Sequence, residues 1–150
     1  MAKRGYEYII LAILAGVAVF AWSEVFGLEA RKLNFYALDV GQGDAIFIET
    51  PTKNQILIDG GPDKSVLEEL GEVMPPYDRS IDIIMLTHPN LDHAAGLVDV
   101  LKNYDVKYLI DTDDEYHLSE YKEIKKIAEE KNIKRIIARR GDKLILDRGG

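Results

Sequence analysis

The sequence predicts an α/β domain built on one mixed sheet with helices packed against it. Three observations carry that prediction. Three short runs of β-favouring residues come first, joined by tight turns, which is the pattern of an antiparallel meander. Two continuous apolar runs then alternate with amphipathic helical patterns, as in strand–helix–strand units. Finally, 150 residues of which 47% are apolar suffice for one domain with one sizeable core.

The meander consists of residues 33–40 (L-N-F-Y-A-L-D-V), 45–49 (A-I-F-I-E) and 55–59 (Q-I-L-I-D). Gly41-Gln42-Gly43 and Pro51-Thr52-Lys53-Asn54 supply its turns. Gly60-Gly61-Pro62 ends it, and Asp63 or Ser65 is placed to cap a short helix through Leu70. Residues 81–86 (I-D-I-I-M-L) read as a strand covered on both faces. A His-rich loop follows, then a helix over 94–104 and a buried strand over 106–110. Ser119 is expected to cap a helix through Lys131, whose apolar stripe is Ile124, Ile127 and Ala128. Strands over 134–138 and 143–146 complete the pattern, with a turn at Gly141-Asp142.

Residues 1–28 are a separate object. No charged residue lies between Tyr8 and Trp22. The apolar stretch from Tyr6 to Leu28 exceeds the about 20 helical residues that cross a bilayer core. Lys3 and Arg4 precede it, and Tyr6, Tyr8 and Trp22 stand where interfacial aromatics belong. Two arrangements fit. A signal anchor would leave its N-terminus in the cytoplasm and residues 29–150 outside, a single-pass protein of the cell membrane. A cleaved signal peptide, cut after Val19-Phe20-Ala21, would release a secreted domain. The anchor is favoured because the apolar stretch runs past that cleavage site.

Lys3, Arg4, Glu7 and Glu24 cancel, so the whole net charge of −7 belongs to residues 29–150. An acidic domain does not attract nucleic acid by its general field. The Lys and Arg of residues 122–143 are interleaved with Glu and read as a solvated helix face. There are no cysteines, which excludes disulfides and thiolate metal sites. A metal here must be held by imidazole, carboxylate, amide or backbone oxygen, which suits Zn²⁺, Mn²⁺ or Fe.

Thr87-His88-Pro89-Asn90-Leu91-Asp92-His93 carries the chemistry. A loop opened by Pro89 allows His88, Asp92 and His93 to converge on one side, since adjacent side chains fan outward at a helix start. Neutral imidazole and carboxylate are good Zn²⁺ or Mn²⁺ ligands. The plainer alternative is a polar helix N-terminus capped by Asp92.

The segment resembles the H-x-H-x-D-H signature of the metallo-β-lactamase superfamily, with His88, Asn90, Asp92 and His93 at its four named positions. Leu38-Asp39-Val40-Gly41-Gln42-Gly43-Asp44-Ala45 and Ile58-Asp59-Gly60-Gly61 resemble one branch of it, that of the extracytoplasmic hydrolase-like domain of the competence protein ComEC and related anchored or secreted hydrolases. The resemblance covers about residues 33–110. It implies the N-terminal half of a metallo-β-lactamase-like αββα sandwich. It also implies one or two metal ions, His88 as a ligand of the first, Asp92 and His93 of the second, and Asp92 as the residue that orients the attacking water. Asp59 would position the His loop from beneath. Asp39 and Asp44 flank the first turn with no role derived for them.

Asn90 departs from the pattern by standing where the superfamily has a second His. Further ligands, an Asp and one or more His, are expected beyond residue 150. His117 reads as a solvated surface residue, and Asp111, Asp113, Asp114 and Glu115 as a solvated acidic loop rather than a cation site. The resulting expectation is a membrane-anchored, metal-dependent hydrolase in which metal-bound hydroxide attacks a phosphodiester or another ester. The substrate would be nucleic acid or a small ester. The alternative is an extracytoplasmic binding or interaction module with a degenerate metal site.

Overall fold

The computed structural model describes residues 3–29, 32–113 and 117–146. It separates into two units, residues 1–32 and residues 33–150. The first is the helix α1 (Lys3–Glu29). Within it, Tyr6–Ser23 is long and apolar enough to cross a membrane, and that stretch is exposed along its length. Signal sequences pass the same test of length and composition.

The second unit is a six-stranded sheet in sequential order. The meander is formed by β1 (Asn34–Ala37), β2 (Ile46–Glu49) and β3 (Gln55–Ile58), paired antiparallel. From β3 onward the pairing is parallel, through β4 (Ser80–Met85), β5 (Asp105–Asp111) and β6 (Lys134–Ile137). Parallel neighbours need crossovers, and the helices α2 (Ser65–Val73), α3 (Leu91–Asn103) and α4 (Ser119–Glu130) provide them. Their apolar stripes bury Val66, Leu70, Leu97, Val100, Leu101, Ile124 and Ile127 against Phe47, Leu57, Ile84 and Leu109 of the sheet. This is the expected mixed α/β architecture.

The opposite face of the sheet carries a smaller cluster, Ile56, Ile83 and Ile110, flanked by Ile48, Ile58, Met85, Ala138 and Leu146. The β-strand expected at 143–146 is not formed. Gly141 adopts φ +98, and the Asp142 carboxylate accepts from the Arg139 N–H at 2.8 Å. That turn sends the chain back over the second face instead of along the edge of β6. Leu146 then packs on the Ile56 cluster and its carbonyl accepts from the Asn54 amide at 3.3 Å.

Two caps also differ from expectation. The N-cap of α4 is Leu118, because Ser119 already lies inside the helix, where its hydroxyl donates to Glu120 at 2.8 Å. The helix α3 starts at Leu91, so its N-cap is Asn90 rather than Asp92. Asp63 does hold the start of α2, accepting from the Ser65 N–H at 2.8 Å, and that helix runs past Leu70 to Val73.

The acidic stretch after β5 is not simply solvated. Asp111 is 2% exposed and makes a two-pronged ion pair with Arg135 of β6, at 2.8 and 2.9 Å. Arg135 also reaches Asp113 and the Tyr121 hydroxyl. Asp114 and Glu115 lie outside the described residues. Arg135→Ala strands a buried carboxylate and is expected to cost roughly 3 kcal/mol at neutral pH, read by urea unfolding. The Arg135 hydrogen bond holds the Asp113 carboxyl below its ordinary value. A depressed carboxyl contributes stability above its unfolded pKa and loses it as pH falls through its folded one. The gap between wild type and variant should therefore narrow as pH drops below the usual carboxylate range. A gap that stays constant down to strong acid would contradict the assignment.

Candidate metal centre

The parallel pairing of β3 and β4 sets Ile58 beside Met85. Asp59 and the segment Leu86-Thr87-His88 therefore leave the sheet side by side, at the carboxyl ends of adjacent parallel strands. Open α/β sheets place ligand sites at that edge. Asp59 is fixed in the turn by its N–H, which donates to the Met85 carbonyl at 2.8 Å, and it holds φ +57. Asp is among the few residues that tolerate such a backbone.

Three sequence segments are knitted together at this edge. The Gly60 N–H donates to the His93 carbonyl at 2.8 Å, the Gly61 N–H to the Asp44 carbonyl at 3.0 Å, and the Gly96 N–H to the Gly61 carbonyl at 3.1 Å. Gly43, at φ +73, lies so close to the Asp92 carbonyl that a Cβ would overlap it. Thus the turn 41–44, the turn 59–61 and the first turn of α3 form one body. Asp92 and His93 both lie in that first turn.

The side chains converge around one carboxylate. Asp59 is 2% exposed. Its Oδ1 accepts from the Thr87 N–H at 2.8 Å, and its Oδ2 accepts from the Thr87 hydroxyl at 2.6 Å. The same Oδ2 lies 2.9 Å from His93 Nδ1. The Thr87 hydroxyl also lies 2.9 Å from His88 Nδ1. The two imidazole rings are 4.0 Å apart between centroids. His93 Nε2 stands 3.8 Å from Asp92 Oδ2. One donor atom from each of Asp59, His88 and His93 falls within 4.8 Å of the others.

So Asp59, His88, Asp92 and His93 are brought together. Asp44 joins them loosely, its carboxylate 4.0 Å from His93 Nδ1 and largely exposed. Asn90 is exposed at the N-cap, and its side chain makes no capping bond. Asp39 turns into its own loop, accepting from the Gly41 N–H at 3.3 Å. His117 is exposed and lies outside the cluster. Thr87 was not singled out from the sequence. Its signal was a hydroxyl at the end of a buried strand, directly before a candidate ligand.

Residues 38–149 match the model of the family described as the metallo-beta-lactamase superfamily. The chain belongs to that superfamily. Within it, the chain is 32% identical over 90 residues to ComE operon protein 3 of Bacillus subtilis (strain 168), covering 49% of this chain and 12% of that protein. It thus spans only a small part of that relative. Among solved structures, a HARLDQ-motif mutant of the metallo-beta-lactamase from Cronobacter sakazakii (Enterobacter sakazakii) aligns at 21% identity with a TM-score of 0.41, over 52% of this chain and 30% of that one.

The donor set suits a metal of this superfamily. Each imidazole spends its Nδ1 on a protein partner, Asp59 for His93 and Thr87 for His88. That is the arrangement in which the other ring nitrogen faces an ion. Asp92 supplies a half-exposed carboxylate beside His93 Nε2, and neutral imidazole with carboxylate is the ligand chemistry of Zn²⁺ and Mn²⁺.

Proposed function

We propose that the chain is part of a membrane-anchored, metal-dependent hydrolase acting on a phosphodiester or another ester outside the cytoplasm. The observation that carries this reading is the convergence of Asp59, His88 and His93 at the carboxyl ends of β3 and β4. His88, Asp92 and His93 would hold Zn²⁺ or Mn²⁺, with Asn90 beside them as a weaker amide donor. Such an ion lowers the pKa of a bound water and polarises the ester oxygen. Asp92, next to His93 Nε2 and half in solvent, would hold and orient a water there. Both Asp59 oxygens are engaged by Thr87 and His93, so its proposed work is to fix the two rings.

Membership of the superfamily, the likeness to ComE operon protein 3 and the apolar α1 support this reading together. The reading takes the anchor with an external domain, and a nucleic-acid phosphodiester rather than a β-lactam as the substrate. The first turn of α3 adds a favourable helix end for a phosphate's charge.

The whole chain in detergent micelles, titrated with Zn²⁺ and Mn²⁺ and assayed on an activated phosphodiester, tests the proposal. Wild type should bind at least one of the two ions. His88→Ala should weaken that binding more than tenfold while the fold is retained. Wild type that takes up neither ion would sink the hydrolase reading, leaving a binding or interaction module.

A further inference from the structure

We infer that Thr87 is a positioning residue, a one-proton relay through which the Asp59 carboxylate sets the tautomers of both histidines. The inference rests on the metal-binding reading above, but its argument needs only proton counting. An ionised carboxylate accepts and never donates. Asp59 Oδ2 faces His93 Nδ1 at 2.9 Å, so that nitrogen carries the hydrogen. A neutral His93 then has its bare lone pair on Nε2, the atom that faces Asp92 at 3.8 Å.

His88 is linked to Asp59 through the Thr87 hydroxyl and receives the same instruction. The Thr87 hydroxyl has one hydrogen. At 2.6 Å from Asp59 Oδ2 that hydrogen is committed to the carboxylate, the strongest acceptor in reach. Toward His88 Nδ1, 2.9 Å away, the hydroxyl oxygen can then only accept. Nδ1 of His88 must carry the ring hydrogen, and its Nε2 is left bare.

The Thr87 N–H, bound to Asp59 Oδ1 at 2.8 Å, fixes the backbone beneath the hydroxyl and keeps it next to the carboxylate. Asp59 is 2% exposed, so water competes poorly at its carboxylate, whereas the Thr87–His88 end of the relay is exposed and is held by the hydroxyl's commitment to that carboxylate. One buried carboxylate therefore orders two rings, the first directly and the second through a hydroxyl. Both metal-facing nitrogens are ready before any ion arrives.

The test is histidine ¹⁵N NMR on the full chain in micelles, free of metal and in alkaline buffer where unpaired imidazole is neutral. Wild type should give a protonated Nδ1 and a bare Nε2 for both His88 and His93. Thr87→Ser keeps the hydroxyl and should preserve both. Thr87→Val keeps the shape but lacks the hydroxyl, and should let His88 mix tautomers while His93 stays fixed. The same samples titrated with Zn²⁺ should show a 10- to 100-fold weaker Kd for Thr87→Val, restored by Thr87→Ser.

A wild-type His88 bare at Nδ1 overturns the relay, as does a Thr87→Val chain with unchanged His88 signals. If the tautomers are as inferred but wild type binds neither Zn²⁺ nor Mn²⁺, the relay stands and the metal reading falls.

Discussion

Asp59→Ala is expected to lower the stability of the domain by about 3–5 kcal/mol, the range for stranding partners of a buried charge, and to abolish metal binding. Three donors point at this carboxylate: the Thr87 N–H, the Thr87 hydroxyl and His93 Nδ1. The substitution leaves all three without this acceptor; the buried His93 donor costs about 1–3 kcal/mol, and the Thr87 donors, which are part-exposed, cost less. It also puts alanine at φ +57, a backbone that costs a non-glycine residue roughly 1–2 kcal/mol.

Two companion variants separate these contributions. Asp59→Gly relieves the backbone but not the donors, and should recover only about 1 kcal/mol of the loss. Asp59→Asn keeps volume and backbone tolerance, and should recover more stability than Gly yet still bind metal poorly, because an amide holds the rings less firmly than a carboxylate. Urea unfolding followed by far-ultraviolet circular dichroism reads the first quantity, and calorimetric titration with Zn²⁺ the second. Asp59→Ala within about 1 kcal/mol of wild type would show that the carboxylate does not organise the loop.

Gly96→Ala should be among the most damaging single-methyl changes in the described residues. An added Cβ would overlap the Gly60 carbonyl oxygen and press on the Asp63 carbonyl, with Val66 next to it. Both carbonyls are backbone, so no side chain can step aside. Relief requires α3 to move off the turn at 60–61. That breaks the Gly96–Gly61 and Gly60–His93 backbone bonds and opens the buried seam where Leu97 meets Val66. Overpacking typically costs about 1–3 kcal/mol. Two lost backbone bonds add about 1 kcal/mol each. The expected total, about 4 kcal/mol, is large against the 5–15 kcal/mol that domains possess. Thermal unfolding checks it. A melting temperature within a few degrees of wild type would mean that α3 is not locked by this contact.

Much of this architecture could be read from residue pattern. The switch from short alternating runs to apolar runs separated by helices located the change from antiparallel to parallel pairing, because strands buried on both faces carry no alternation. The cluster His88–Asp92–His93 was legible because its residue types have few other uses at such spacing. What escaped was set by distant partners. Asp111 looked like one more acid in a solvated loop, and only β6 brings Arg135 to it. Residues 143–146 have strand composition, yet the turn at Gly141 directs them over the sheet face. Thr87 differs from any strand-end threonine only through Asp59, 28 residues earlier in the chain, and sequence spacing does not encode that meeting.

The strand β4 is bonded to a neighbour along both edges, and Leu57, Ile84 and Leu109 at the sheet's centre are sealed from solvent. Segments of this kind open last, whereas exposed turns open often. Asp59 and Thr87 hang from that slow region, tied by the Asp59 N–H to Met85 and the Leu86 N–H to Ile110. The turn 41–44 is exposed and belongs to the fast one. The exposed tip of that turn is therefore expected to open more often than the body it is tied to through Asp44. Amide exchange should be slow at Leu57, Ile84 and Leu109 and much faster at Gly43. Local opening at this exposed end would be far more frequent than unfolding of the sheet that carries Leu86-Thr87-His88.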